Sequence, residues 1–355
     1  MRHGNSLLLL LLLSPALARP PTWSWDTVQN FIHCGNVSGP LSDAVLSAMA
    51  AAKFSVIEKY HALRQPPVFT GYEGKFNLVV QQVRALNPNA TVLMYFQGDW
   101  ARSWFDAGAY FDARPSLEVH NGDGAGGWGP LFNFTNTDQN TVVWHAFDFG
   151  NPAAVDAWVG AIASIIAGAG ADGVLVDGVS GHPGNNLTKA QMNSFREGNG
   201  GAGVKLAAAL PAESTLIANN CFPPGYTGTM DEFFSPSWGS MKGALGWPNG
   251  TLMELHVNSR GGVFNNTLAA YLVIAREGMY FGGTDPTGDD WSSCEGWASP
   301  RTNGLYRKAL GQPTGPFQNA SWVLNRSFAS GTRVRLDLRP NGSPRVQPPS
   351  CICAF

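Results

Sequence analysis

The stretch NPAAVDAWVGAIASIIAGAGADGVLVDG, residues 151–178, carries the pattern that decides the fold class. Its first part combines alanines with regularly spaced larger apolar residues and predicts a helix over 152–168. Its second part, 171–178, places three consecutive apolar residues before Asp177 and Gly178 and predicts a short strand. A strand that is apolar on both faces is typical of a parallel sheet covered by helices. The stretch therefore indicates an α/β protein.

The same alternation recurs along most of the chain. We count eight apolar, β-rich runs that are separated by predicted helices or loops. Eight such units over about 250 residues match a (β/α)8 TIM barrel. A doubly wound open sheet is the alternative, but no glycine-rich phosphate loop follows the first strand. The predicted strands cover residues 54–60, 91–97, 141–149, 171–178, 214–220, 228–234, 251–257 and 278–283.

Four regions follow from this assignment. We expect a signal peptide over residues 1–18, a lead segment over 19–40 and the barrel over 41–312. The remaining residues, 313–355, form a C-terminal appendage. Within it, residues 321–340 alternate apolar and polar side chains around a turn and predict a short β-hairpin that packs on the barrel.

The N-terminus predicts the compartment. Residues 1–18 read MRHGNSLLLLLLLSPALA, with seven consecutive leucines and a small-x-small ending, which predicts a signal peptide cleaved before Arg19. The leucine run is too short to span a membrane core of ~30 Å, so we expect a secreted or lumenal protein without a membrane anchor after cleavage. Nine N-glycosylation sequons agree with this compartment. They begin at Asn36, Asn89, Asn133, Asn186, Asn249, Asn265, Asn319, Asn325 and Asn341.

The five cysteines fit an oxidising compartment, in which disulfides form. Cys351 and Cys353 are separated by one residue and are poor partners for each other, so we expect one of them to pair with Cys34. No cysteine or histidine spacing resembles a zinc site. We therefore expect neither a metal nor another cofactor.

Composition limits the class of partner. The chain has 355 residues, of which 44% are apolar and only 14% are charged, and its net charge is −2. This charge gives no bulk attraction to nucleic acid or to anionic lipid. Flat aromatic rings on a surface of low charge suit the apolar faces of sugars, which favours an oligo- or polysaccharide as the partner. Six tryptophans fall in predicted loops after strands: Trp100, Trp104, Trp128, Trp238, Trp291 and Trp297.

Polar residues gather at the predicted strand ends, where a TIM barrel carries its active site. Asp177 ends the fourth strand and is the strongest catalytic candidate, followed by Glu232 in the sixth. Asp231 and Glu232 point to opposite sides of a strand, and the sequence leaves open which one faces the barrel axis. Glu58, Asp148 and Glu254 are either substrate binders or buried partners of basic residues. The candidate substrate-binding residues are Glu58, Lys59, Gln97, Trp100, Asp148, Asn219, Glu254, Asn258, Asp285 and Trp291.

Five segments occur in a fixed order along the chain: LSDAVLSAMAAAKFSVIEKY (41–60), VVWHAFDFGNPAAVDAWV (142–159), GADGVLVDG (170–178), TGTMDEFF (227–234) and the closing Trp322, Arg326, Ser327, Phe328 and Gly331. Through these segments the chain resembles, over roughly residues 40–340, a glycoside-hydrolase-like TIM-barrel family, that of the hypothetical glycosyl hydrolases. The resemblance implies the barrel fold and a glycosidase activity. It also implies that Asp177 is the nucleophile or stabilising carboxylate and that Glu232 is the general acid/base.

Glycosidic cleavage needs one carboxyl group to protonate the leaving oxygen and a second to attack the sugar or activate water. Asp177 and Glu232 lie two strands apart, ~10 Å at the backbone, which leaves retaining and inverting mechanisms open. A non-catalytic carbohydrate-binding barrel is the alternative. A hydrolase with a metal held by Asp148, Asp177, Glu254 and His256 ranks below it. The absence of a G-x-S-x-G motif disfavours a lipase-like esterase.

Overall fold

A computed structural model describes the chain between residues 20 and 339, with gaps. The predicted signal peptide, Cys351 and Cys353 lie outside the described residues. The described ranges are 20–35, 40–58, 72–98, 100–101, 115–117, 132–135, 141–179, 188–257, 264–283, 294–299 and 304–339.

Eight parallel strands form the barrel, and they follow one another around it in chain order. An isolated parallel bridge between Asn30 and Phe281 joins the last strand to the first and closes the barrel. The predicted TIM barrel is therefore confirmed. Its strands are β1 (Phe31–Gly35), β2 (Phe54–Glu58), β3 (Val92–Gln97), β7 (Gly173–Asp177), β8 (Thr215–Asn219), β9 (Gly228–Asp231), β10 (Leu252–His256) and β11 (Met279–Gly282).

The first barrel strand lies in the predicted lead segment, so the barrel begins at Phe31 and not at residue 41. The strand β1 reads FIHCG and is buried along its whole length. Its histidine, cysteine and glycine interrupt the apolar run that identified the other strands. Parallel pairing with β2, from Phe31 opposite Phe54 to Gly35 opposite Glu58, completes the barrel.

The predicted strand 141–149 was wrongly placed in the barrel. Its residues Thr141–Ala146 form β6, which pairs antiparallel with β4 (Trp100–Ala101) and β5 (Phe132–Thr135) in a separate three-stranded sheet. An apolar, β-branched run suits a strand of either sheet, and no local feature of the sequence separates the two cases.

Helices cover the barrel, and the clearest case is α3, the helix Pro152–Ala169, whose two ends have local causes. Asn151 caps its N-terminus by accepting a hydrogen bond from the backbone N–H of Ala153, and Gly170 ends it in the left-handed conformation. By length and composition α3 could also cross a membrane, but its side chains Trp158 and Ile162 are buried in the barrel core. The helices are α1 (Asp43–Ala51), α2 (Tyr72–Leu86), α3 (Pro152–Ala169), α4 (Lys189–Ala209), α5 (Trp238–Gly246) and α6 (Phe264–Ile274).

One connection is shorter than in a regular barrel, because residues 220–227 join β8 to β9 without a helix. Of the helix predicted near 300–310, the described residues 304–306 are helical.

A disulfide between Cys34 and Cys294 crosses the seam of the barrel. It links the end of β1 to the chain that follows β11, across 260 residues of sequence. The expected pairing of Cys34 with Cys351 or Cys353 is therefore wrong. Closure of the barrel brings Cys34 beside Cys294, and this long-range proximity leaves no mark in the spacing of the cysteines. Among the described cysteines, Cys221 lies outside the disulfide and is buried.

The predicted C-terminal hairpin is confirmed and gains a third strand. The strands β12 (Gln318–Ala320), β13 (Val323–Ser327) and β14 (Arg333–Asp337) form an antiparallel sheet. Arg326 of β13 anchors this sheet on the barrel by donating hydrogen bonds to the carbonyls of Val273 and Ala275 at the end of α6, at 2.9 Å and 2.7 Å. Its guanidinium also lies over the ring of Trp25.

The disulfide predicts a measurable loss of stability. Replacing both Cys34 and Cys294 with serine should lower the free energy of unfolding by about 2–5 kcal/mol, because the disulfide restricts a very long loop of the unfolded chain. Urea unfolding followed by tryptophan fluorescence measures the change. The variant Cys221→Ala, which removes a thiol outside the disulfide, is the control for loss of a buried cysteine. An unchanged free energy of unfolding in the double variant would contradict the stabilising role.

Candidate active site

Strand β7 brings Asp177 to the C-terminal rim of the barrel. The three residues before it are fully buried, whereas Asp177 itself is half-buried. Its Oδ2 accepts a hydrogen bond from the hydroxyl of Tyr95 at 2.6 Å, and its Oδ1 accepts one from Nδ2 of Asn219 at 2.8 Å. Both oxygens therefore act as acceptors, as those of an ionised carboxylate do.

The turn after β9 directs Glu232 toward the same place. Asn220 adopts the left-handed conformation, with φ of 55°, which asparagine tolerates better than most residues. Its side chain exchanges two hydrogen bonds with Glu232, accepting from the backbone N–H at 3.1 Å and donating to Oε2 at 3.2 Å. Asp231 instead accepts from the backbone N–H of Phe233. Of the two adjacent acids, Glu232 is therefore the one that joins Asp177.

The amide of Asn219 joins the two carboxyl groups. Its two Nδ2 protons are donated to Oδ1 of Asp177 and to Oε2 of Glu232, at 2.8 Å and 2.9 Å. Because both oxygens bind the same nitrogen, Oδ1 of Asp177 and Oε2 of Glu232 can lie at most about 5.7 Å apart. Because amide protons diverge by about 120°, near-linear bonds place the oxygens about 5 Å apart. The predicted pair thus converges.

Burial raises the pKa of Glu232 above the ordinary value of a glutamate. The hydrogen bond from Asn219 lowers the pKa in part, and the charge of Asp177 raises it again. A carboxyl group with a raised pKa holds its proton at higher pH, which a general acid requires. Burial also raises the pKa of Asp231 to about 6, but the carboxyl group of Asp231 binds the backbone N–H of Phe233 within the same turn.

Tyr95 and Gln97 line the site from β3, where their spacing of two puts both on one face of the strand. Gln97 is buried, and its Nε2 donates to the backbone carbonyl of Asp177 at 3.3 Å. Its own backbone carbonyl accepts from Nε1 of Trp158 at 3.0 Å. These contacts hold the end of β3 against the end of β7, so Gln97 supports the strand that carries Asp177.

A charged cluster fills the barrel interior beside the carboxylate pair. His33 of β1 contacts Oε1 of Glu254 through Nδ1 at 2.7 Å and Oε2 of Glu58 through Nε2 at 3.5 Å. All three side chains are closed off from solvent. Burial lowers the pKa of His33, but the charges and hydrogen bonds of the two carboxylates outweigh burial and raise the pKa to about 10. His33 is therefore an imidazolium at neutral pH.

The second interior histidine, His256, is neutral at neutral pH. Burial and the charge of His33 lower the pKa of His256 to about 3, and the two rings lie 5.8 Å apart. The sequence left open whether Glu58 and Glu254 bind substrate or pair with basic residues. The structure places both against His33, which belongs to the strand that the sequence did not reveal.

Asp148 and Trp100 are the remaining predicted substrate-binding residues that the structure describes. Asp148 lies in the turn before α3, where its Oδ1 accepts from the backbone N–H of Gly150 at 3.1 Å. Trp100 is described only as part of β4. Of the loop tryptophans, Trp238 is half-buried and Trp297 is fully buried. Residues Lys59, Asn258, Asp285, Trp291, Trp104 and Trp128 lie outside the described residues.

Three residues of the site were not among the predicted site residues: His33, Tyr95 and Asn220. His33 was hidden because β1 was not recognised. Tyr95 could have been found, because it lies two residues before Gln97 and so shares its face of β3. The role of Asn220 depends on its left-handed backbone conformation, for which the sequence gives only the weak signal of an asparagine after a strand.

Within the part of the chain that the structure describes, no group of three or more His, Cys, Asp or Glu side chains is arranged to hold a metal ion. The metal site considered for Asp148, Asp177, Glu254 and His256 therefore does not form among these residues.

Solved structures of low sequence identity share this architecture. A maltogenic α-amylase from Thermotoga neapolitana is 11% identical with a TM-score of 0.51, and the match covers 87% of this chain and 85% of the amylase. A GH31 family sulfoquinovosidase from E. rectale is 12% identical with a TM-score of 0.51, over 82% of this chain and 48% of that one. The chain has the barrel fold of glycoside hydrolases. A cycloalternan-forming enzyme from Listeria monocytogenes, 13% identical with a TM-score of 0.50, matches over 81% of this chain and 31% of its own.

These likenesses concern the fold. The chain spans less than half the length of the sulfoquinovosidase and of the cycloalternan-forming enzyme. No protein-family model matches the sequence, and no curated protein does so either. The predicted resemblance to glycosidase-like TIM barrels is confirmed at the level of architecture.

The interior ion cluster predicts a stability that depends on pH. The folded pKa of His33, about 10, exceeds its ordinary value of 6.5, so its stabilisation is complete below pH 6.5 and is lost as the pH rises toward 10. Replacing His33 alone with leucine should cost about 3–5 kcal/mol, because two buried carboxylates lose their cation.

Urea unfolding at several pH values between 6 and 10 measures both effects. The double variant His33→Leu/Glu254→Leu removes the close ion pair and should lose less stability over this range than the wild type. Parallel curves for the wild type and the double variant would contradict the role of the cluster.

Proposed function

We propose that the protein is a glycoside hydrolase in which Asp177 is the nucleophile and Glu232 is the general acid/base. The observation that carries this proposal is the bridge of Asn219, which brings the two carboxyl groups together at the C-terminal rim of the barrel. The different environments of the two groups support their roles. Asp177 accepts two hydrogen bonds, whereas burial raises the pKa of Glu232.

The proposed reaction has two steps. Asp177 attacks the anomeric carbon while Glu232 gives its proton to the leaving oxygen, so the glycosidic C–O bond breaks and a glycosyl ester forms. Glu232, now a carboxylate, then takes a proton from water, which attacks the same carbon and releases Asp177. An oxygen separation of about 5 Å fits this retaining route, since inverting enzymes leave ~6.5–9.5 Å for a water molecule.

Tyr95 and Asn219 act as positioning residues in this proposal. The hydroxyl of Tyr95 holds one oxygen of Asp177, and Asn219 holds the other together with Glu232. Residues that fix a nucleophile lower the entropic part of the barrier, because the reacting groups need no further ordering. A neutral carbohydrate is the proposed substrate class, as the low charge and high tryptophan content suggested.

We further propose that the protein enters the secretory pathway. The leucine-rich residues 1–18 and nine sequons support this localisation, as does a disulfide between Cys34 and Cys294. Four of the sequon asparagines are exposed in the described residues, where a glycan could be accommodated: Asn89, Asn249, Asn265 and Asn319.

Catalytic variants test the enzyme proposal. On a panel of aryl glycosides and neutral oligosaccharides, Asp177→Asn and Glu232→Gln should each lower kcat by about 10²–10⁴, because each removes one of the two reacting carboxyl groups. The matched control is Asp231→Asn, which makes the same chemical change one residue away and should stay within about threefold of the wild type. The first product anomer, observed by NMR, should keep the configuration of the substrate.

Equal turnover by the wild type, Asp177→Asn and Glu232→Gln would overturn the assignment of the pair. Glycan binding without turnover by any of them would favour a non-catalytic carbohydrate-binding barrel.

Expression in cultured eukaryotic cells tests the localisation. The protein should appear in the medium or the secretory lumen with Arg19 as its first residue, and peptide-N-glycosidase should reduce its mass. A variant lacking residues 1–18 is the control and should stay in the cytosol without glycans. A wild-type protein that keeps Met1 and carries no glycan would contradict the proposal.

A further inference from the structure

Two aromatic side chains in the described residues are exposed to solvent over nearly half of their surface. Phe233 and Trp322 are each 48% exposed, although most Phe, Tyr and Trp side chains whose burial the structure describes lie in the core. Exposing an aromatic ring of this size forgoes the favourable burial of its apolar surface. Phe233 belongs to the turn that follows Glu232, and Trp322 contacts the helix that follows this turn.

Phe233 is part of the turn that carries the proposed general acid. It follows Glu232 directly, and its backbone N–H is bound by Asp231 at 3.2 Å. The backbone N–H of Glu232 is bound by Asn220 at 3.1 Å. The ring of Phe233 is thus presented from a turn whose backbone is fixed on both sides.

Trp322 comes to this segment from the C-terminal sheet. It occupies the second position of the two-residue turn between β12 and β13, and both turn residues have positive φ, 52° for Ser321 and 70° for Trp322. Such turns favour asparagine and glycine, so a tryptophan here costs conformational energy. Its ring meets that of Trp238 edge to face, with the centroids 6.3 Å apart.

Trp238 places this pair near the rim of the barrel. It is the first residue of α5, which begins after the strand end that carries Glu232. Trp238 is the sixth residue after Glu232, so their backbones lie within about 20 Å even for an extended chain. That length corresponds to a few sugar rings.

We propose that Phe233, Trp238 and Trp322, here called the aromatic platform, bind sugar units on the leaving-group side of the cleaved bond. This inference rests on the proposed function, since the group that leaves takes its proton from Glu232 and so lies on the side of that residue. Aromatic rings pack against the apolar faces of pyranoses, as they do against other flat partners. The preferred substrate is then a neutral oligosaccharide that extends beyond the cleaved bond, and not a single sugar on a small group.

A different occupant of the platform is a glycan on the chain itself. Asn319 begins a sequon, is exposed, and accepts a hydrogen bond from the backbone N–H of Trp322 at 3.1 Å. An N-linked glycan at this position would compete with a substrate for the ring of Trp322. The variant Asn319→Gln removes this possibility and forms one arm of the test.

Kinetics on substrates of two lengths test the proposal. The substrates are aryl monoglycosides and neutral pentasaccharides of the sugar that the wild type cleaves. In Trp322→Ala and Phe233→Ala, KM for the pentasaccharide should rise on the order of tenfold while kcat stays within about twofold, because each variant removes binding area but no reacting group. Both constants for the monoglycoside should stay near the wild-type values. The matched control is Val204→Ala, which removes another half-exposed apolar side chain, on α4.

Binding without turnover separates this proposal from the catalytic one. In the Asp177→Asn background, calorimetry with maltopentaose, cellopentaose, mannopentaose and stachyose should detect at least one ligand whose Kd rises about tenfold on Trp322→Ala. Two results would overturn the platform. The first is that Trp322→Ala no longer raises Kd in the Asn319→Gln background. The second is that KM for the pentasaccharide is unchanged in both aromatic variants. If no substrate is turned over but a pentasaccharide binds through Trp322, the platform stands and the enzyme proposal fails.

Discussion

The barrel of this protein depends on the placement of β1 between β2 and β11. On one side β1 forms a regular parallel pair with β2, whereas on the other side a single bridge from Asn30 to Phe281 joins it to β11. The disulfide from Cys34 reinforces this weaker side covalently. Asp177 and Glu232 converge on the part of the rim formed by β7, β8 and β9, and closure at β1 completes that rim.

The same strand also supplies the charge that the barrel interior requires. His33 points into the barrel, where it meets Glu254 on one side and Glu58 on the other. Two buried carboxylates without a cation would be costly, and an imidazolium between them offsets much of that cost. Its positive charge also acts on Glu232, whose pKa it lowers against the larger effect of burial. Barrel closure and the electrostatics of the site are therefore coupled through one residue.

The sequence predicted those features that follow from local patterns. The apolar run before Asp177 predicted the strand that ends at this residue. The rule that barrel sites lie at strand ends predicted the pair of Asp177 and Glu232. Features that depend on tertiary structure were not predictable in this way. The short, mixed run of β1 has no continuous apolar stretch, the partner of Cys34 lies 260 residues away, and the choice between Asp231 and Glu232 depends on the backbone of Asn220.

The direct connection between β8 and β9 gives the two halves of the site different folding requirements. Asn219 and Glu232 are thirteen residues apart, so the chain needs to close only a short loop to bring them together. Tyr95 and Asp177 are 82 residues apart, and they meet only when β3 has paired with β7 across the intervening insertion. Contacts of small sequence separation form at lower entropic cost. The acid half of the site can therefore assemble as a compact local unit, and the nucleophile half joins it when β3 pairs with β7.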